Sequence, residues 1–118
     1  MTAAMILTSE QIPTGPLLTV AGDLDYDSAA RFRAAVDALA LQAGQLLTVD
    51  LSGLGFCDSS GITALISARN RARAHSADVA LAGVPPATAR VLRVLGLDQV
   101  FRVVPAPAAD PVPDPDPA

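Results

Sequence analysis

A group of small polar residues separates two apolar stretches near the middle of the chain: Asp58, Ser59, Ser60 and Gly61. Residues 45–51 before it are β-prone, and apolar residues recur at helical spacing over residues 62–74 after it. The group therefore marks a strand-to-helix junction, where Asp58 or Ser59 is expected to cap the helix. Ser60 then falls in the first turn, at the positive end of the helix dipole, where a phosphate is electrostatically favoured.

A serine at a strand-to-helix turn is also a feature of nucleophilic enzymes. The only histidine, His75, follows Ser60 by 15 residues on the same predicted helix. At ~1.5 Å per residue the two are about 22 Å apart, whereas a base must lie within about 3 Å of the proton it removes. A Gly-x-Ser-x-Gly element, a glycine-rich phosphate loop followed by lysine and metal-ligand spacings are missing too. We expect no catalytic residues, metal or cofactor, and nucleotide binding has no support.

β-prone and helical segments alternate along the chain. Strands are predicted at residues 4–8, 17–22, 45–51, 78–84 and 99–104, with turns at residues 11–16 and 52–55. This alternation predicts an α/β domain with a largely parallel sheet of four to five strands. The first strand is expected at the edge, in antiparallel orientation.

Three amphipathic segments are predicted to form the helices. The first begins after a cap at Asp25 or Asp27 and runs to about residue 43, where Gly44 stops it. The central helix runs to about His75, and the third opens at Pro85 and Pro86 and has Gly96 as the cap after it. The apolar stripe of the third helix consists of Val91, Leu92 and Leu95.

Composition limits the possible functions. The 118 residues suffice for about one domain, and no apolar run approaches the ~20 residues needed to cross a bilayer, so we expect no membrane insertion. A net charge of −4, with arginine as the only basic residue type, argues against direct binding of nucleic acid. The cluster of Arg69, Arg71 and Arg73 is interpreted as a solvated helix face rather than a phosphate-binding patch. The single cysteine, Cys57, favours a reducing, cytoplasmic setting and a buried apolar role.

Four motifs, in this order, resemble the STAS domain of the anti-sigma factor antagonist family. They are Gly-Asp-Leu-Asp at 22–25, Val-Asp-Leu-Ser at 49–52, Phe-Cys-Asp-Ser-Ser-Gly at 56–61 and Val-Leu-Gly-Leu-Asp-Gln-Val-Phe at 94–101. The resemblance covers about residues 4–104. It implies a single STAS-like α/β domain over residues 1–104, with a mostly parallel, mixed sheet packed with helices.

The resemblance also implies a function. The family's unphosphorylated antagonist binds an anti-sigma factor that is also a serine kinase, and the sigma factor is released to act in transcription. The family's phosphoacceptor corresponds to Ser60, and a phosphoserine phosphatase would reset the switch. The residues expected to contact the partner are Asp23, Asp25, Asp58, Ser59, Ser60 and Gly61.

Two alternatives remain open on the sequence alone. Asp23 and Asp25 could cap the first helix without contacting a partner. STAS-like subunits also serve as accessory proteins of membrane transporters for lipids or anions, and a free-standing domain does not discriminate between the two functions.

Residues 105–118 form a Pro/Ala/Asp-rich tail without apolar periodicity, which we expect to be disordered. Deleting residues 107–118 should leave thermal stability nearly unchanged, because the tail offers almost no apolar surface to bury. Differential scanning calorimetry of the full and shortened chains checks this. A Tm more than about 4 °C lower, roughly 1 kcal/mol for a domain of this size, would mean that the tail docks.

Overall fold

Strands and helices alternate as predicted within residues 4–106, which the computed structural model describes. In chain order the elements are β1 (Ile6–Ile12), β2 (Gly15–Leu24), α1 (Ala29–Asp37), β3 (Leu46–Cys57), α2 (Ser59–Ala74), β4 (Asp78–Ala82), α3 (Pro86–Val94), a 3-10 turn (Leu97–Gln99) and β5 (Arg102–Val104). Most of the predicted tail, residues 107–118, lies outside the described residues, and the domain boundary therefore stays a prediction.

The described strands form one sheet in the order β1-β2-β3-β4-β5. β1 runs antiparallel to β2 at one edge, and the other neighbouring strands are parallel, which confirms the predicted mixed sheet. Each parallel connection contains a helix, as parallel pairing requires. The carboxyl ends of β2 and β3 lie side by side, with Leu24 paired to Cys57. The loop that follows β2 and the start of α2 therefore meet at this edge of the sheet.

The core fixes the position of α2. This helix packs against α1 and against β3 and β4. Its inner face consists largely of small residues, among them Ala64, Ala68 and Ala72, and it buries Leu65 completely. Small side chains let the helix lie close to the sheet, and burial of a leucine side chain contributes about 1.5–3 kcal/mol.

The turn predicted at residues 52–55 is wrong, because β3 continues through these residues to Cys57. The two glycines serve a close approach between strands and not a turn. A Cβ on Gly53 would lie 3.1 Å from the Ala21 Cβ, and one on Gly55 would lie 2.9 Å from a carboxylate oxygen of Asp23. A side chain at position 53 would require Ala21 to shift by a few tenths of an ångström, and one at position 55 would require the Asp23 carboxylate to move. The β2–β3 register also shifts twice along this stretch.

α1 ends earlier than predicted, at Asp37 instead of about residue 43. The intervening residues favour helix, yet the chain leaves the helix and buries Leu41 in the core before β3 begins. Tertiary packing here overrides helix propensity. Gly44 has a φ of +84° in a turn closed by the Gln45 N–H donating to the Gln42 carbonyl at 3.1 Å.

The remaining differences lie at strand ends. β1 reaches Ile12 and β2 begins at Gly15, so the predicted turn at residues 11–16 shrinks to two residues. β4 ends at Ala82, where Gly83 follows with a φ of +62°. β5 begins only at residue 102, because the chain first forms the 3-10 turn. The left-handed cap predicted at Gly96 is confirmed, with a φ of +74°.

Gly61→Ala should destabilise the domain by about 2 kcal/mol, a typical cost of overpacking. The added Cβ would collide with the Leu24 carbonyl oxygen and lie 2.6 Å from the Cys57 sulfur. Urea unfolding measures the effect. Thr63→Ala, at an exposed position on the same helix, is the control and should change the free energy of unfolding by less than about 0.5 kcal/mol. Equal stability of Gly61→Ala and the wild type would contradict this close approach.

Candidate functional site

The Asp58 carboxylate joins the start of α2 to the loop between β2 and α1. Its Oδ1 accepts the Gly61 N–H at 3.0 Å, and its Oδ2 accepts the Tyr26 N–H at 3.2 Å. Of the two caps that the sequence left open, the helix therefore uses Asp58. Ser59 is the first helical residue, and Ser60 lies in the first turn as predicted.

The β2–α1 loop is held by a reciprocal pair of hydrogen bonds between Asp25 and Ser28. The Ser28 N–H donates to Asp25 Oδ1 at 3.1 Å, and the Asp25 N–H donates to Ser28 Oγ at 2.9 Å. This is the arrangement of a capping box, one turn before the first residue of α1. The predicted cap of α1 at Asp25 or Asp27 is wrong in position, because the N-cap of the helix is Ser28, whose side chain makes no capping hydrogen bond. Asp25 holds the preceding turn, and its carboxylate also accepts the Asp27 N–H at 3.1 Å.

The two serines face different neighbours. Ser59 is exposed and borders the groove between α2 and α3, whereas Ser60 is half-buried and borders a depression between α2 and α1. That depression has a volume of about 190 Å³. Its lining residues are Ser60, Tyr26, Ala29, Arg33 and Thr63. Among the described residues, Arg33 is thus the one charged residue that lines the depression beside Ser60.

Two of the expected contact residues have little surface. Asp23 is only 8% exposed, and its carbonyl oxygen accepts the Ser28 hydroxyl at 2.9 Å. Gly61 is a buried residue of the first turn of α2. Their position is consistent with a framework role, in which they shape the loop and the helix start that carry the exposed residues.

Sequence reasoning missed two exposed aromatic residues beside the helix start, Tyr26 and Phe56. Tyr26 is 80% exposed and Phe56 is 54% exposed. The chain has only three phenylalanines and one tyrosine, and the other two aromatic side chains, Phe32 and Phe101, are buried. The available signal was their placement within polar segments, because a scarce aromatic residue in such a segment is more often used in recognition than in the core.

A groove of about 510 Å³ runs between α2 and the C-terminal part of α3. Its lining is mainly aliphatic and includes one carboxylate. The residues are Cys57, Asp58, Ser59, Ile62, Thr63, Ile66, Val91, Leu95 and Leu97. The predicted stripe of α3 is therefore partly wrong: Leu92 is buried, but Val91 and Leu95 are 41% and 58% exposed along this groove.

The thiol of Cys57 lies at the inner end of this groove. Burial, and secondarily the neighbouring Asp58 carboxylate, raises the pKa of Cys57 to about 11. Both causes disfavour the thiolate, which is the reactive form. The thiol is therefore poorly suited to act as a nucleophile at neutral pH.

The prediction that the α2 arginines form a solvated helix face is confirmed for Arg71 and Arg73 and wrong for Arg69. Arg71 pairs with Asp37 at 3.4 Å and Arg73 with Asp78 at 3.9 Å, both in exposed positions where ion pairs contribute little. Arg69 is instead half-buried, and its Nε has no hydrogen-bond partner among the described residues.

Within residues 4–106, the side chains that could act in catalysis do not lie close together in space. His75 is at the C-terminal cap of α2, the opposite end of the helix from Ser60. Across this range no three His, Cys, Asp or Glu side chains are grouped so that they could hold a metal ion. None of the described helices is long and apolar enough to cross a membrane.

Comparison with known proteins identifies the family. The family model described as "Mlab, STAS domain" matches residues 8–105. The chain belongs to the STAS domain family. An anti-sigma-B factor antagonist of Listeria monocytogenes is 24% identical to this STAS domain over 84 residues, which are 71% of the chain and 74% of the relative. A second such antagonist, from Listeria innocua, matches equally well.

Solved structures of STAS proteins share the fold. An anti-sigma factor antagonist from Mycobacterium paratuberculosis superposes with a TM-score of 0.76 at 23% identity, covering 88% of this chain and 90% of that one. A sulfate transporter family protein from Wolinella succinogenes gives a TM-score of 0.65 at 16% identity, covering 75% and 74%. The STAS fold is therefore shared by proteins with different names and does not by itself assign a function.

Cys57 should be alkylated slowly by iodoacetamide at pH 8, at least about tenfold more slowly in the native protein than in urea. The native rate should keep rising until the pH reaches about 11, because the raised pKa delays thiolate formation. Asp58→Asn should accelerate the native reaction by removing a neighbouring negative charge. A Cys57→Ser/His75→Cys variant, with its thiol at an exposed position, is the control for reagent access. Equal rates in the native and unfolded chains would contradict the raised pKa.

Proposed function

We propose that this STAS domain is an anti-sigma factor antagonist controlled by phosphorylation of Ser60. In this proposal it binds an anti-sigma factor with serine kinase activity, which frees a sigma factor, and phosphorylation by that kinase ends the interaction. The two curated relatives named as anti-sigma-B factor antagonists support the general function. The observation that carries the switch is the position of Ser60, half-exposed in the first turn of α2 beside Arg33.

A phosphate on Ser60 is compatible with the fold. It adds about −1.5 to −2 charges at neutral pH. The helix N-terminus carries a partial positive charge, and Arg33 lines the same depression. No acidic side chain in the part of the chain that the structure describes lines it. Phosphorylation should therefore leave the domain folded.

The same phosphate is costly in an interface. Tyr26 and Phe56 are the exposed aromatic side chains beside the helix start, and aromatic anchors of this kind dominate many interfaces. A partner that covers them also covers the first turn of α2. It must then desolvate the phosphate at a cost of several kcal/mol unless it supplies compensating charge.

The predicted site residues divide into two roles in this proposal. Ser59 and Ser60 contact the partner together with Tyr26 and Phe56. The remaining predicted residues hold this surface in place through the hydrogen bonds and close packing described above: Asp23, Asp25, Asp58 and Gly61.

The proposed cycle requires further components. A phosphoserine phosphatase returns the domain to its binding form, and all components share the cytoplasm. The domain acts on proteins and contacts no nucleic acid directly. In this proposal the binding function belongs to the STAS domain of residues 1–104.

A second candidate is an accessory subunit of a membrane transporter. The observation that favours it is the fold shared with a sulfate transporter family protein from Wolinella succinogenes. The surface around α2 would then bind a transporter component. Affinity capture with the wild type and the Ser60→Asp variant separates the two functions. Only the antagonist function predicts that the wild type captures an anti-sigma factor and that Ser60→Asp does not.

Ser60→Asp should bind the anti-sigma factor at least about tenfold more weakly than the wild type, a loss of roughly 1.4 kcal/mol. Ser60→Ala should bind normally and resist phosphorylation. Ser59→Ala is the matched control for the kinase reaction and should still incorporate phosphate on Ser60. Calorimetric titration and mass-spectrometric site mapping measure these outcomes, with the serine-kinase anti-sigma factors of the source genome as partners. Phosphate on Ser59, or equal affinity of Ser60→Asp and the wild type, would contradict the assignment of Ser60.

A further inference from the structure

The apolar groove between α2 and α3 adjoins the proposed switch but does not include it. Its volume, about 510 Å³, is within the range of sites that hold a bound apolar group. Val91 and Leu95 remain 41% and 58% exposed along it. Burial of this aliphatic surface would be favourable at roughly 25 cal/mol per Å².

We propose that this groove holds an apolar segment of the same anti-sigma factor, with a basic residue at the Asp58 end. The proposal rests on the proposed function and adds a second, switch-independent contact to it. The segment is the chemical counterpart of a groove with aliphatic walls and a single carboxylate.

Charge favours this occupant. Asp58 is the one charged residue among those that line the groove. Its two oxygens already accept the Gly61 and Tyr26 N–H groups, and the N-terminus of α2 offsets about half of its negative charge. Among the described residues, no arginine forms an ion pair with Asp58 or lines the groove. An apolar peptide with a lysine or arginine therefore fits better than a fatty acid or an anionic lipid.

Continuity with the switch identifies the source of the segment. Ser59 lines the groove and Ser60 lines the depression on the α1 side, so successive residues of one helical turn border both surfaces. A partner that covers the start of α2 lies directly at the mouth of the groove. A partner whose binding depends on the phosphorylation state of Ser60 can therefore fill the groove in the same binding event.

This arrangement makes the two contacts separable. Ser60 is not among the residues that line the groove; it lines the depression on the α1 side. The groove contact should therefore contribute the same free energy to the strong binding of the unphosphorylated form and to the weakened binding of the phosphorylated form. Effects of groove substitutions and of Ser60→Asp should then combine additively in free energy, as they do for independent sites.

The test compares two valines on α3. Val91 lines the groove, whereas Val94 is 77% exposed and does not. Val91→Ser and Leu95→Ser should each weaken binding to the purified serine-kinase anti-sigma factors at least about fivefold, and Val94→Ser should change it less than about twofold. The double variant Leu95→Ser/Ser60→Asp should show the product of the single fold-changes to within about twofold. Calorimetric titration gives the affinities, and circular dichroism melting verifies that each variant is folded.

These measurements distinguish failure of the groove proposal from failure of the proposed function. If Ser60→Asp weakens binding while Val91→Ser and Leu95→Ser behave like Val94→Ser, the groove proposal is overturned and the switch stands. If the groove variants weaken binding and Ser60→Asp does not, the groove is supported and the switch fails. Strong non-additivity overturns the independence of the two contacts.

Other occupants are outcomes of the same experiment. A wild-type dimer in sedimentation that dissociates with Leu95→Ser would assign the groove to a second copy of the chain. Saturable binding of a fluorescent fatty acid that Leu95→Ser abolishes would assign it to a lipid. Either result, or failure of every such anti-sigma factor to bind the wild type, overturns the proposed occupant.

Discussion

The arrangement of the site depends on one carboxylate that is shared between two elements. Asp58 caps α2 through the Gly61 N–H and also holds the Tyr26 N–H in the preceding loop. These two elements come from different parts of the chain and meet only because β2 and β3 are parallel neighbours. Without the Asp58 link, the loop that carries Tyr26 would lose a fixed point relative to Ser60. The carboxylate therefore already positions the exposed surface in the unbound domain.

Close packing imposes the second constraint. Gly61 leaves space for the Leu24 carbonyl, so α2 begins directly against the end of β2. The Asp-Ser-Ser-Gly sequence is consequently both a structural device and a candidate recognition element. Its first and last residues fix the helix start, and the two serines between them are presented to two different surfaces. A modified serine can thus alter a surface while the residues that hold the fold remain unchanged.

The sequence was sufficient where local signals and tertiary structure agree. The alternation of strands and helices predicted the α/β sheet, and the polar group at 58–61 predicted the cap and first turn of α2. Local signals failed at β3, where the glycines indicate a turn but accommodate a neighbouring strand, and at α1, where helix-forming residues leave the helix so that Leu41 can enter the core. The exposure of Tyr26, Phe56 and Leu95 depends on the packing of distant elements, and apolar periodicity alone does not contain that information.

The central claim is that phosphorylation of Ser60 changes an interface and leaves the fold intact. The most direct measurement compares the unmodified protein with protein carrying phosphoserine at position 60, using calorimetric titration against the cognate anti-sigma factor and thermal unfolding of each form. We predict Tm values within about 4 °C of each other, roughly 1 kcal/mol, together with at least about tenfold weaker binding of the phosphorylated form. Equal affinities of the two forms, or loss of binding that is accompanied by unfolding, would contradict it.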